Sequence, residues 1–135
     1  MYYISSDRER IEPYRVQELL RQSYWAKDRS LETICTSLEH SLLYGVFDKK
    51  THQQVAFARV VTDYSTTWYL CDVIVDASHR GHGIGKMLIE HITSDPVIKD
   101  ISGMLRTLDA HGLYEQYGFE SVEKIYMGRK GKSEF

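Results

Sequence analysis

Apolar residues recur along this chain with two periods, and the switches between them mark out its elements. After a short strand expected at Tyr2–Ser5, Val16, Leu19 and Leu20 share one face of a helix expected over residues 13–23, with Pro13 acceptable in the first turn. Leu31, Ile34, Cys35, Leu38 and Leu42 then repeat at helical spacing behind Ser30, a favourable N-cap, with Glu32 in the first turn. This second helix is expected to end near Ser41. Residues 43–48, 55–62 and 68–75 are rich in β-branched and aromatic side chains and are separated by polar turns, which predicts an antiparallel meander.

The third of these strands, Trp68-Tyr69-Leu70-Cys71-Asp72-Val73-Ile74-Val75, is apolar on both alternating faces, as a central strand covered on both sides should be. Asp72 is its exception. A helix follows over residues 83–93, with Ile84, Met87, Leu88, His91 and Ile92 on one face and Lys86 and Glu90 paired on another. Beyond Asp95 and Pro96 the pattern predicts a strand at 104–108, a short helix at 110–117 broken by Gly118, and a last strand at 122–127. The polar tail at 128–135 is expected to fray.

The 135 residues suit one domain, and folding at this size removes about two-thirds of the unfolded chain's surface from water. Neither a repeat nor a Pro/Gly/Ser linker interrupts it. A formal charge of -2 argues against a partner bound by neutralising many phosphates, so no nucleic acid is expected and any anion site must be local. Cys35 and Cys71 lie in apolar patterns and read as small hydrophobes in a reducing compartment. With no leader pattern and no span-length apolar run, a soluble cytoplasmic protein without membrane contact is expected. The six histidines show no metal-ligand spacing, so no metal is expected.

The strongest local signal is Arg80-Gly81-His82-Gly83-Ile84-Gly85-Lys86, set between the central strand and a helix start. Backbone N–H groups in such a turn, together with the helix's free first-turn donors and its dipole, form an anion cradle. The ATP-binding P-loop would need glycine where Arg80 stands and Ser or Thr where Met87 stands. The dinucleotide fingerprint would need Gly or Ala at Lys86.

Arg80, Gly83 and Gly85 do match the Arg/Gln-x-x-Gly-x-Gly/Ala pattern of the GNAT superfamily of acetyl-CoA-dependent N-acetyltransferases, which this chain resembles. Downstream, Ala110-His111-Gly112-Leu113-Tyr114-Glu115-Gln116-Tyr117-Gly118-Phe119 is similar to that family's Ala-x-x-Leu-Tyr-x-x-x-Gly-Phe segment. The resemblance implies an α+β fold, a single GNAT-like domain over residues 1–135 whose mixed central sheet is flanked by about four helices.

It also implies acetyl-CoA as the acetyl donor. Gly81, His82, Gly83, Ile84, Gly85 and Lys86 would hold the pyrophosphate, with the charges of Arg80 and Lys86 close by. Val73, Ile74 and Val75 would offer their backbone to the pantetheine arm, and one of their N–H groups would meet the carbonyl oxygen. Tyr114 matches the tyrosine that protonates the departing thiolate in many relatives. Asp72 is a candidate for base or for amine anchor, against a structural pair with Arg59. His111 is the alternative proton carrier, and Asp109 more simply an N-cap. Thr107 stands where relatives often carry a cofactor-touching asparagine. Tyr24 and Trp25, between the first two helices, would wall the acceptor pocket.

The expected activity is transfer of acetyl to a primary amine, of a small molecule in preference to a protein or peptide, by direct attack in a ternary complex. Cys71 has no apparent activating partner for a covalent route. A non-catalytic acyl-CoA-binding regulatory domain is the rival reading, and an edge strand near the C-terminus would be available for a homodimer.

Overall fold

The computed structural model describes residues 1–132. Strands β1 (Tyr2–Ser5), β2 (Leu42–Asp48), β3 (Gln54–Thr62) and β4 (Thr67–Val75) lie side by side in chain order, each antiparallel to the last. β5 (Ser102–Met104) then joins β4 in parallel, which requires a crossover that α3 (Ile84–Thr93) carries. The sheet is therefore mixed, as expected. Helices α1 (Pro13–Leu20) and α2 (Leu31–Glu39) cover one face, and α4 (His111–Glu115) follows β5. None of these helices is long and apolar enough to cross a membrane.

The sheet separates two cores. Ile84, Leu88, Ile89 and Ile92 of α3 pack with Tyr44, Val60, Trp68 and Leu70 on one side. Val16, Leu19, Leu20, Ile34 and Leu38 of α1 and α2 pack with Leu43, Phe57 and Ile74 on the other. Ser30 caps α2 as expected, its hydroxyl accepting from the Thr33 amide at 3.1 Å. The first helix is shorter than expected and ends at Leu20, and the Ser23 hydroxyl turns back to the Leu20 carbonyl at 2.7 Å.

β4 is irregular at its centre. Cys71 pairs with Arg59 and Ile74 with Phe57, so Ala58 alone faces both Asp72 and Val73. This is a β-bulge, and Asp72 takes the left-handed backbone within it, with φ of 56°. The bulge turns the strand over. Trp68 and Leu70 face the α3 core before it, Val73 and Val75 face that core after it, and Ile74 has moved to the opposite one. A left-handed non-glycine residue costs roughly 1–2 kcal/mol unless its side chain finds local partners.

Two strand expectations are corrected. The fifth strand lies at Ser102–Met104, two residues before the expected start, because Gly103 admits the Trp68 indole where any Cβ would collide with it. That indole donates to the Ile101 carbonyl at 2.8 Å, fixing the register. The strand expected at 122–127 does not form, because nothing buries its apolar positions: Ile125 and Met127 are 78% and 93% exposed. Of the tail at 128–135, residues 133–135 lie outside the described residues, and 128–132 carry no helix or strand.

α1 is tied to the end of β4 by Arg15, which donates to the Asp76 carboxylate at 2.7 Å and to the Gln54 carbonyl at 2.8 Å. Burial opposes ionisation of Asp76, but the hydrogen bond from Arg15 and those from Ser78 outweigh it and hold its pKa at about 2. The native value lies below the unfolded one, so the pair's contribution is full above about pH 4 and is lost as pH falls toward 2. Arg15→Ala should therefore lower stability by about 1 kcal/mol at neutral pH, allowing for solvent screening, and by much less near pH 2. Urea unfolding at both pH values checks this, and an equal loss at both would contradict it.

Candidate functional site

Residues 80–86 connect the short 3-10 turn at Ala77–His79 to α3. Gly81 and Gly83 have φ of 86° and 76°, values that favour glycine, and Gly83 serves as N-cap of α3 without any side-chain cap. Among the described residues, the backbone N–H groups of 81–86 meet no acceptor. Six consecutive donors are thus turned out together at the positive end of a helix dipole.

Gly85 differs from the other two. It lies in the first helical turn, where the backbone does not demand glycine, and a Cβ built there meets nothing within 4 Å. The fold would accommodate a Cβ here, and its absence leaves open space beside the loop. A cavity of about 300 Å³ lies against it, lined by Val75, Arg80, Gly83, Gly85, Lys86 and Leu113 among others. Arg80 donates from Nε to the Val75 carbonyl at 3.3 Å, and Lys86 is exposed at the rim. A phosphate-bearing ligand fits this donor set.

The neighbouring strand edge is open. β5 pairs with β4 only at Thr67–Tyr69, so residues 70–75 have no strand on that side. Val73, Ile74 and Val75 lie on this stretch without a strand neighbour, and Val75 lines the cavity. The acetyl-CoA implied by the motifs suits this arrangement, with an anion cradle at one end and an unpaired strand edge at the other.

Tyr114, on α4, is 9% exposed, and its hydroxyl has no hydrogen-bond partner among the described residues. The ring is fixed edge-on by Phe119 at 5.9 Å, and Phe119 in turn by Trp68 at 5.8 Å. Gly118, with φ of 89°, folds the chain back so that the Phe119 amide reaches the Tyr114 carbonyl at 3.3 Å. The second motif is therefore a device for holding one phenol. Burial, with help from the Asp109 charge and Tyr24, pushes its pKa up to about 12, so it stays protonated at neutral pH.

Asp72 is not free. Its Oδ2 accepts from Arg29 and from Arg59, both at 2.7 Å, and its Oδ1 accepts from the Trp25 indole at 3.2 Å. Burial would raise its pKa, but the two guanidinium charges overcome this and hold the carboxyl below the usual carboxylate range. Trp25 meets Tyr24 edge-on at 5.1 Å, and Tyr24 is close enough to Tyr114 to act on its ionisation. The connection between α1 and α2 is thus fastened to β4.

His111 and Asp109 are exposed. Asp109 does not cap α4, whose N-cap is Ala110 with no side-chain cap; the Thr107 hydroxyl accepts from the Ala110 amide at 3.0 Å, just ahead of the helix. Cys35 and Cys71 are free thiols and only half-buried. Burial raises the Cys71 pKa even though three arginines oppose it, which leaves the thiol protonated and a poor nucleophile.

Sequence reasoning passed over two contributors. Arg29 carries no pattern that marks it. Tyr2 stands on the first strand, yet its hydroxyl meets His79 Nδ1 at 3.0 Å and its ring lies 6.4 Å from that of His82, supporting the loop from behind.

Residues 39–121 match the family described as Acetyltransferase (GNAT) domain. The chain is 32% identical over 96 residues to GCN5-related N-acetyltransferase 1, chloroplastic, of Arabidopsis thaliana, covering 69% of this chain and 49% of that protein. It spans about half the length of the curated relatives it matches. Among solved structures, a GNAT-family protein from Xanthomonas campestris pv. campestris superposes with a TM-score of 0.90 at 36% identity, covering 97% of this chain and 94% of that one. At the level of fold alone, glucosamine-6-phosphate N-acetyltransferase from Arabidopsis thaliana superposes at 0.68 with 18% identity, covering 96% and 97% of the two chains.

Proposed function

The chain belongs to the GNAT acetyltransferase family, and from that premise we propose that it moves the acetyl group of acetyl-CoA to a primary amine of a small molecule by direct attack in a ternary complex. The observation that carries this reading is the conjunction of unpaired donors at residues 81–86, the open edge of β4, and a buried phenol whose hydroxyl has no internal partner.

Acetyl-CoA supplies the acetyl group as a thioester. The amides of residues 81–86 hold its pyrophosphate, with Lys86 and Arg80 adding charge at the rim, while Val73, Ile74 and Val75 offer backbone groups to its pantetheine arm. An N–H at the β4 bulge donates to the carbonyl oxygen, where negative charge gathers as the amine adds. The Tyr114 hydroxyl keeps its proton for the sulfur that departs.

Asp72 suits the role of base poorly. A carboxyl held below its ordinary pKa is a weak proton acceptor for an amine, and both oxygens are already engaged. The amine's proton passes instead to water or to His111, which lies one turn before Tyr114. A small acceptor is favoured because Trp25 and Arg29 draw the α1–α2 connection down onto β4, which narrows the approach.

A screen of small amines, amino acids and peptides, read by release of the CoA thiol, tests the proposal. Release that depends on a small amine is the expected result. Turnover on peptides alone would transfer the assignment to a protein acetyltransferase, and acetyl-CoA binding without turnover on any amine would favour the non-catalytic reading.

A further inference from the structure

We propose that Asp72 is a positioning residue: gripped by Arg29, Arg59 and the Trp25 indole, it locks the left-handed bulge of β4 and fastens the acceptor-side connection to that bulge. The inference rests on the acetyltransferase reading above for its catalytic consequence, and on geometry alone for the lock itself.

Asp72 combines two features that are seldom combined without a reason. It is a charged residue only 9% exposed, and it occupies a left-handed conformation in the middle of an otherwise apolar strand. A strained residue of this kind persists only where its surroundings over-determine it. Three donors do so here, and they arrive from separate places: Trp25 and Arg29 from the α1–α2 connection, Arg59 from β3. Arg59 is itself steadied, its Nη1 donating to the Ser41 hydroxyl at 3.3 Å. Three of the carboxylate's roughly four acceptor sites are thus taken by side chains of the protein itself.

The bulge is where the chemistry needs rigidity. It takes Asp72 and Val73 out of one-to-one pairing with β3, on a stretch of β4 that also has no β5 neighbour. Backbone donors so released can meet a developing oxyanion only if the turn of the strand is held. The same carboxylate carries the tether of Trp25, which in turn packs edge-on against Tyr24 in the α1–α2 connection. A single side chain therefore sets the backbone under the carbonyl and the wall of the acceptor approach.

Substitutions at position 72 graded by tolerance of the left-handed backbone test this. Asn and Gly adopt it readily and Val does not. For Asp72→Asn, which keeps the backbone and can still accept from the facing donors, kcat should stay within about three-fold of wild type, while Asp72→Gly, which keeps the backbone but frees all three donors, should lose about ten-fold in kcat and raise the acceptor KM about ten-fold as the connection is released. For Asp72→Val, kcat should fall at least about a hundred-fold, with acetyl-CoA affinity changed only a few-fold.

Amide hydrogen exchange on the ligand-free proteins gives a readout independent of turnover. Residues 70–76 should keep their protection in Asp72→Asn and lose it in Asp72→Val, and residues 21–30 should exchange faster in Asp72→Gly. Loss of kcat in Asp72→Asn equal to that in Asp72→Val would overturn the proposal and make Asp72 the base. Wild-type kcat in Val would also overturn it. Should Asp72→Val not fold, Arg29→Gln takes its place, with a raised acceptor KM at unchanged kcat expected and an unchanged KM counting against the tether. A wild-type protein that acetylates no amine would defeat the acetyltransferase reading, while the exchange comparison would still decide the lock.

Discussion

Tyr114→Phe is expected to lower turnover by about 10²–10⁴ while acetyl-CoA binds within a few-fold of wild type. The substitution removes only a hydroxyl that has no hydrogen-bond partner among the described residues, so packing against Phe119 survives and thermal stability should hold or rise slightly. The raised pKa adds a pH signature. A phenol held at about 12 keeps its proton throughout the neutral and mildly alkaline range, so turnover should show no decline below about pH 10 from its ionisation. Stopped assays of thiol release across pH, with binding measured separately by calorimetry, check both parts. Turnover in Tyr114→Phe equal to wild type would remove Tyr114 from the mechanism, and an alkaline decline near pH 9 that the variant abolishes would mean the phenol is not held protonated.

The second large effect separates two glycines of the same loop. Gly85→Val should abolish the stabilisation that acetyl-CoA confers while leaving the ligand-free protein as stable as wild type or more so. Nothing lies within 4 Å of a Cβ at Gly85, and glycine is itself a poor helix residue by up to about 1 kcal/mol. Wild type at a ligand concentration of about a hundred times Kd should gain roughly 2.7 kcal/mol, several degrees in Tm. Gly83→Val should also lose that gain, but at a cost to the ligand-free protein, because a β-branched residue is forced to a φ of 76°. Thermal melts with and without acetyl-CoA distinguish the pair. A full ligand-induced shift in Gly85→Val would mean that the space over this turn is not used.

The glycine turn that opens α3 was legible in the sequence because its information is local. Glycine spacing, the flanking Arg80 and Lys86, and the apolar period of α3 all sit within a short stretch, and the backbone they specify needs no distant partner. The same holds for Ser30 as a cap and for Tyr114, whose neighbours Gly118 and Phe119 lie a few residues on. Where the reading failed, the missing information was a partner. Residues 122–127 have strand-like composition, but that propensity counts only where a half-buried surface receives the side chains, and here they stay exposed. The shift of β5 was set by the size of the Trp68 ring against Gly103, a contact between segments far apart in the chain.

Asp72 shows the same limit at the site. The sequence isolates it as the odd residue of an apolar strand and pairs it plausibly with Arg59, but neither the bulge nor Arg29 leaves a trace in local pattern. Once the bulge is seen, the alternation of β4 makes sense, since the apolar positions before and after it belong to different faces.

The central claim is that residues 80–86, the open edge of β4 and Tyr114 form one acetyl-CoA site. A crystal structure of the protein with acetyl-CoA tests it most directly. The account predicts the pyrophosphate against the amides of residues 81–86, the pantetheine arm along residues 73–75, and the thioester sulfur within hydrogen-bond reach of the Tyr114 hydroxyl. A cofactor seated elsewhere, or one whose sulfur points away from Tyr114, would contradict it.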